Sequence, residues 1–164
     1  LALKTKAVQD ISADDIEVLT FEISGETFAL EAAIVREILD LLPEASVPGS
    51  RPFVNAVINF RGKVIPLADI RVAMGMPAVA TTIDSRIVVV ELDLDGTPSL
   101  IGLRTDRVNE VTTISKAAAE PPPRVGLKWP PQFIECLIQR NGTFIIFPDL
   151  MAIFCSKGHS GQRN

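Results

Sequence analysis

Four glycine-containing pairs, each between two apolar runs rich in β-branched residues, constrain the fold of this 164-residue chain most strongly. The pairs are Gly25-Glu26, Gly62-Lys63, Asp95-Gly96 and Asn141-Gly142. Asp-Gly and Asn-Gly favour the type I′ turn of a two-residue β-hairpin, and a Gly-X pair suits the type II′ turn. Four hairpins of this kind predict a mainly β fold.

The chain also contains an internal repeat. Residues 56–74 align without gaps on residues 136–154, and in both copies an aspartate follows the hairpin at a position typical of a helix N-cap. The identical pairs are Ile58 and Ile138, Gly62 and Gly142, Ile65 and Ile145, and Asp69 and Asp149. A weaker similarity relates the hairpin at Gly25 to the one at Gly96. The repeat predicts two related β lobes, each a small barrel of hairpins with a short capped helix after its last hairpin.

These elements also set the expected domain organisation. The two ends of the chain are polar and lack apolar periodicity, which is typical of segments outside a folded core. We expect a loose arm at 1–14, one domain at 15–156 and a flexible tail at 157–164. Within the domain we expect lobe 1 at about 15–80, with a C-terminal helix at about 149–155 packing back on it, and lobe 2 at about 84–148.

Arg61 is conspicuous within the apolar stretch VINFRGKVIPLADI at 57–70. Because side chains alternate along a strand, we expect Phe60 on one face and Asn59 and Arg61 on the other. The second copy of the repeat has Asn141 at the position of Arg61, and Asn-Gly is a preferred turn pair. Folding alone therefore does not require an arginine here, which favours a functional role.

The sequence lacks the usual signatures of catalysis and metal binding. It contains no P-loop, G-x-S-x-G, G-x-G-x-x-G, H-E-x-x-H or C-x-x-C pattern. The single histidine, His159, lies in the polar tail, and one histidine with two cysteines cannot supply the four ligands of a closed zinc site. We therefore expect no catalytic residue, no cofactor and no metal.

Two further classes of function are disfavoured. No apolar run reaches the roughly 18 residues of a membrane-spanning helix, so we expect no direct membrane insertion. A small-barrel nucleic-acid-binding module is the alternative from a different class. It would require a positive groove with stacking aromatic side chains, whereas the net charge is −4 and aromatic residues make up 5%.

Four stretches of the chain resemble CheW-type chemotaxis coupling proteins. They are VREI at 35–38, VINFRGKVIPLADIR at 57–71, RIVVVE at 86–91 and IGLRTDRVNEVTTI at 101–114, and the resemblance extends from about residue 16 to 155. It implies two small SH3-like β barrels, an adaptor without catalysis, and a cytoplasmic location at membrane receptor arrays. The implied partners are the cytoplasmic tip of a transmembrane chemoreceptor and the regulatory domain of a CheA-type histidine kinase, with no nucleic acid.

The resemblance also implies which residues contact the receptor. Arg61 corresponds to the arginine of the family's Arg-Gly pair, and Glu37 to the acid that pairs with it. The other implied residues of this receptor groove are Val35, Ala56, Asn59, Thr105, Asp106 and Val108, whereas the kinase-binding residues are not assigned. Ala56 stands where the family usually has glycine and Thr105 where an aliphatic residue is common, so a divergent receptor, or a pathway controlling surface motility or a second messenger, stays open.

Overall fold

The computed structural model describes residues 14–47, 54, 56–123 and 128–155. Its twelve strands form two six-stranded sheets, which confirms the mainly β prediction. Of the predicted N-terminal arm only residue 14 is described, and the predicted tail at 157–164 lies outside the described residues.

The strands and helices have the following bounds. The strands are β1 (Asp15–Ile23), β2 (Glu26–Glu31), β3 (Val35–Leu39), β4 (Ala45–Ser46), β5 (Ala56–Phe60), β6 (Lys63–Ala68), β7 (Arg86–Leu94), β8 (Thr97–Thr105), β9 (Arg107–Ser115), β10 (Ala119–Glu120), β11 (Ile134–Arg140) and β12 (Thr143–Pro148). The described α-helices are α1 (Ile70–Ala73) and α2 (Leu150–Cys155), and 3₁₀ turns occupy Ala32–Ile34, Lys116–Ala118 and Pro131–Phe133.

The two sheets divide the chain unequally. The central sheet has the order β3-β7-β8-β6-β5-β4 and uses one continuous stretch, 35–105. The terminal sheet has the order β10-β11-β12-β2-β1-β9 and draws on both ends of the chain. The predicted lobe boundaries at 15–80 and 84–148 therefore do not match the sheets. The physical reason is the parallel pairing of β12 with β2, at Ile145–Thr27 and Ile146–Phe28, which joins the last hairpin to the first.

The strand orders are equivalent in the two sheets, as the repeat predicts. The hairpin β5–β6 with α1 holds the place in the central sheet that β11–β12 with α2 holds in the terminal sheet. Both predicted caps are present, because the Oδ1 atoms of Asp69 and Asp149 accept hydrogen bonds from the backbone N–H groups of Arg71 (3.3 Å) and Ala152 (2.9 Å).

All four hairpin turns have left-handed backbone at both central residues. The pairs are Ser24-Gly25, Arg61-Gly62, Asp95-Gly96 and Asn141-Gly142, with φ between +50° and +82°. They are type I′ turns, which match the twist of the flanking strands. This confirms two of the predicted turns. The type II′ turns expected at Gly25-Glu26 and Gly62-Lys63 are wrong by one residue, because Ile23 pairs with Glu26 and Phe60 with Lys63.

Strands β1 and β7 are buried on both faces and so separate three apolar cores. Val18 packs inside the terminal sheet, whereas Leu19 packs between the sheets. Ile87 packs inside the central sheet, and Val88 again between the sheets. Each sheet therefore curls around a core of its own and shares the third with its neighbour, an arrangement consistent with two SH3-like barrels. Helix α2 places Leu150, Ile153 and Phe154 in this shared core.

Candidate partner-binding site

Arg61 forms an exposed but well-fixed cationic group at the tip of the β5–β6 hairpin. Its Nε donates a hydrogen bond to Oε1 of Glu37 at 3.0 Å, and its Nη2 donates to the same oxygen. The guanidinium carbon lies 5.4 Å from the ring centroid of Phe60, within cation–π range. The side chain of Arg61 nevertheless stays 72% exposed, so the guanidinium has a fixed direction and is still accessible to a partner.

The backbone at Arg61 differs from the strand geometry expected from alternation. Arg61 is the first turn residue, with φ +54°, and its side chain folds over Phe60 instead of pointing to the opposite face. A left-handed conformation costs most L-residues about 1–2 kcal/mol, with asparagine and aspartate better tolerated. Asn141 and Asp95 occupy the equivalent positions of other turns. The arginine is therefore kept where the backbone favours a different residue.

Asn59 supports this turn. Its Oδ1 accepts a hydrogen bond from the backbone N–H of Gly62 at 2.9 Å, and its own side chain is exposed. Glu37 lies on β3, near the opposite end of the central sheet from β5. The Arg61–Glu37 pair thus bridges the curled sheet, and Asn59 fixes the loop that carries it.

Two of the predicted receptor residues, Ala56 and Thr105, are buried, and a third, Val35, is only partly exposed. Ala56 is 3% exposed and packs inside the central sheet, because its even-numbered position on β5 faces the core. Thr105 is 0% exposed, and its hydroxyl donates to the backbone oxygen of Arg86 at 3.1 Å. Val35 is half-buried against the core between the sheets. Ala56 and Thr105, as folded here, have no side-chain surface to offer a partner.

Asp106 belongs to a partly buried cluster centred on the buried Arg71, and the sequence reasoning missed this cluster. Arg71 is 1% exposed, and its Nη2 and Nη1 donate to Oδ1 and Oδ2 of Asp106 at 2.6 and 3.2 Å. Its Nε donates to Oδ1 of Asp69 at 2.9 Å, and Nη1 also lies 3.3 Å from Oγ of Ser24. The only signal in the sequence is an arginine within the otherwise apolar helix IRVAM, directly after a capping aspartate.

This cluster shifts the ionisation of both charged partners toward their charged forms. Burial opposes the charge on Asp106, but hydrogen bonds from Arg71 and from the backbone N–H of Ser24, together with the positive charge, outweigh it and lower the pKa of Asp106. Burial likewise opposes the charge on Arg71, yet Asp106 and Asp69 raise its pKa further above an already high value. Both groups are therefore ionised at neutral pH.

A groove of about 530 Å³ runs between β3 and β7 of the central sheet and the start of β9 of the terminal sheet. Ile38 and Arg86 form one wall, and Arg107, Val108 and Glu110 form the other. We call this the inter-sheet groove. Of the eight predicted receptor residues only Val108 lines it, but Ile38, 41% exposed, directly follows Glu37 on β3.

The structure thus brings the predicted residues into two groups. Glu37, Asn59 and Arg61 form one exposed group at the hairpin tip. Thr105, Asp106 and Val108 follow one another at the passage from β8 to β9, where only Val108 reaches the groove. Within the described part of the chain, no cluster of three or more metal-binding side chains occurs. None of the helices described there has the length and apolarity needed to cross a membrane.

Comparisons with known proteins agree with this architecture. The family model for the CheW-like domain matches residues 17–157. The chain is 26% identical to the chemotaxis protein CheW of Rhizobium meliloti (strain 1021), over 93% of this chain and 96% of that protein. It is 25% identical to the chemotaxis protein CheW of Bacillus subtilis (strain 168), over 84% and 85%. The crystal structure of the scaffolding protein TtCheW from Thermoanaerobacter tengcongensis superposes with a TM-score of 0.76 and 28% identity, over 88% and 91% of the chains.

Proposed function

Because the chain belongs to the CheW-like family, whose relatives here are chemotaxis and scaffolding proteins, we propose that it is a non-catalytic adaptor. It couples the cytoplasmic tips of transmembrane chemoreceptors to the regulatory domain of a CheA-type histidine kinase. In this role it is recruited to receptor arrays at the membrane by its protein partners.

One observation carries the receptor half of this proposal, namely an exposed arginine in a turn where the backbone favours asparagine. Glu37 and Phe60 hold the guanidinium in one direction, which reduces the conformational entropy lost when a partner binds. Ile38, the next residue on β3, points to the other side of the strand and lines the inter-sheet groove opposite Val108, so the two features meet at β3. We therefore assign the receptor-contact surface to Arg61, Glu37, Ile38 and Val108.

The decisive variant is Arg61→Asn, which copies the residue of the equivalent turn. Asparagine suits the left-handed backbone, and this gain offsets the loss of an exposed ion pair worth about 0–1 kcal/mol. We expect an almost unchanged melting temperature together with at least tenfold weaker binding to a receptor-tip fragment, a change of about 1.4 kcal/mol. Binding to the isolated kinase regulatory domain should be preserved.

Lys128→Ala is the matched control. Lys128 forms an ion pair with Glu26 on the terminal sheet at 3.7 Å, and the side chains are 65% and 36% exposed, against 72% and 31% for Arg61 and Glu37. This variant should bind the receptor fragment normally. Equal receptor binding by native and Arg61→Asn proteins, measured by isothermal calorimetry, would remove the assignment of Arg61.

The adaptor role also predicts that the kinase uses this chain as a partner and not as a substrate. Incubation with an autophosphorylating CheA-type kinase and labelled ATP should leave the chain unlabelled, although the two proteins associate in a pull-down. Transfer of label onto the chain would contradict the passive role.

A further inference from the structure

We propose that Arg71 is a positioning residue that fixes the two sheets relative to each other and thereby sets the shape of the inter-sheet groove. The proposal rests on the proposed function for its consequence on receptor binding, but its structural part stands on the contacts of Arg71 alone. Arg71 is 1% exposed, so any effect it has on a partner must pass through other residues.

Asp106 is the point at which Arg71 acts. It is the single residue between β8 of the central sheet and β9 of the terminal sheet, where the chain passes from one sheet to the other. Its backbone N–H donates to the oxygen of Glu22 at 2.9 Å, and its Oδ2 accepts from the backbone N–H of Ser24 at 2.8 Å. Asp106 is therefore fastened to the β1–β2 hairpin of the terminal sheet.

Arg71 connects the side chain of Asp106 to the central sheet. It lies on α1, directly after β6 of the central sheet, and donates to both carboxylate oxygens of Asp106. A bidentate guanidinium–carboxylate contact fixes orientation as well as distance. Asp69 holds the Nε of Arg71 on the central side, so the guanidinium is restrained from both sheets.

The groove begins immediately beyond this clamp. Arg107 and Val108 follow Asp106 in the chain and form one wall, while Ile38 and Arg86 on the central sheet form the other. A movement of Asp106 relative to α1 therefore changes the separation of the two walls. An apolar residue of similar volume at position 71 would fill the space, but the carboxylate of Asp106 would then be held by the terminal sheet alone, through the backbone N–H of Ser24.

The test measures the relation between the sheets directly. Spin labels are attached at Val64→Cys on the central sheet and Val111→Cys on the terminal sheet, two positions 65% and 55% exposed, in a chain carrying Cys136→Ala and Cys155→Ser. The distance distribution is measured by double electron–electron resonance for the native Arg71, for Arg71→Lys and for Arg71→Met. We expect a single narrow distance with Arg71, a broader one with lysine, and the broadest with methionine.

A stability-matched control separates positioning from simple destabilisation. Ile138→Ala removes buried methylene groups from the core inside the terminal sheet, away from Arg71. Below the melting temperature of every variant it should keep the native distance distribution and the native affinity for the receptor-tip fragment. Arg71→Met should bind that fragment at least tenfold more weakly, and Arg71→Lys should recover part of the loss.

The outcomes are distinct. Native distance distributions in both Arg71 variants overturn the proposal, as does a broadening of the same size in Ile138→Ala. If Arg71→Met fails to fold, Arg71→Lys decides alone: a distance distribution broader than the native one supports the proposal, and a native distribution overturns it. If the native chain does not bind the receptor fragment, the proposed function fails while the distance measurement still tests the clamp.

Discussion

Replacing Asp106 with asparagine should destabilise the fold much more than the same change at an ordinary surface ion pair. Asparagine keeps the shape of the side chain but removes its charge and one of its two acceptor oxygens. The native carboxylate accepts two hydrogen bonds from Arg71 and one from the backbone of Ser24, and one-third of its side chain is exposed. The amide can satisfy only part of this set.

The magnitude follows from these contacts. Two charge-assisted hydrogen bonds at about 1.5–3 kcal/mol each set the upper range, and breaking a buried ion pair typically costs about 3–5 kcal/mol. Because Asp69 still neutralises Arg71, we expect the lower end, about 3 kcal/mol. For a chain of this size that corresponds to a melting temperature about 6–12 °C lower.

The control is Asp84→Asn. Asp84 pairs with Arg107 at 3.0 Å, but both side chains are more than half exposed, so the loss should be about 0–1 kcal/mol. Urea unfolding followed by circular dichroism measures both variants at pH 7. Similar midpoints for the two variants would refute the reasoning that the Arg71 cluster is a buried, stabilising network.

The lowered pKa of Asp106 also predicts the pH dependence of this effect. Because the folded-state pKa lies below the unfolded value, the contribution of the carboxylate is present above about pH 4 and is lost as the pH falls through the folded-state pKa. The stability difference between native and Asp106→Asn proteins should therefore be constant near neutrality and shrink in acid. A difference that grows on acidification would have the wrong sign.

Two further substitutions test local features of the fold. Gly102→Ala on β8 should destabilise the central sheet by about 1–3 kcal/mol, because an added Cβ would lie 3.0 Å from Cγ2 of Ile87 and 3.3 Å from Cδ1 of Ile58. If this variant unfolds at the same urea concentration as the native protein, the packing argument is wrong. Asn141→Arg, the reverse of the Arg61 exchange, should destabilise the terminal sheet by about 1 kcal/mol in thermal unfolding, since it forces arginine into a left-handed turn, and unchanged stability would weaken the argument about Arg61.

The sequence predicted the local elements well because their signals are local. Turn pairs, capping aspartates and alternating burial along β5 depend on residues a few positions apart, and Phe60 faces the core while Asn59 is exposed, as the alternation predicts. The turn at Gly62 was predicted one residue too late, because a Gly-X pair places glycine at the first central position of the turn and Lys63 at the second. In the structure Arg61 holds the first central position and Gly62 the second. An arginine at φ +54° has no common sequence signature.

The missed features depend on distant parts of the chain. No residue close to Arg71 in the sequence indicates that Asp106, 35 positions away, accepts its hydrogen bonds. The repeat identified equivalent hairpins, but it could not indicate that β12 pairs with β2 and not with a strand from its own half. The burial of Thr105 could not be predicted for the same reason. Thr105 is fully buried at the end of β8, where the chain passes from the central sheet to the terminal sheet.

The construction of the terminal sheet from both ends of the chain has a consequence for synthesis on the ribosome. All strands of the central sheet lie in one stretch, so that sheet can pair as soon as β8 has emerged. The hairpin β1–β2 precedes the other described strands, yet the strands that pair with it, β9 and β12, begin only at Arg107. At about 5–20 residues per second, the intervening stretch takes about 4–15 s to make. During that interval the side chains of Val18 and Ala29, which are buried inside the terminal sheet of the finished protein, lack the residues of β9, β11 and β12 that cover them. Among the described strands, those of the β1–β2 hairpin thus wait longest for their pairing strands, and we expect the nascent chain to aggregate most readily there.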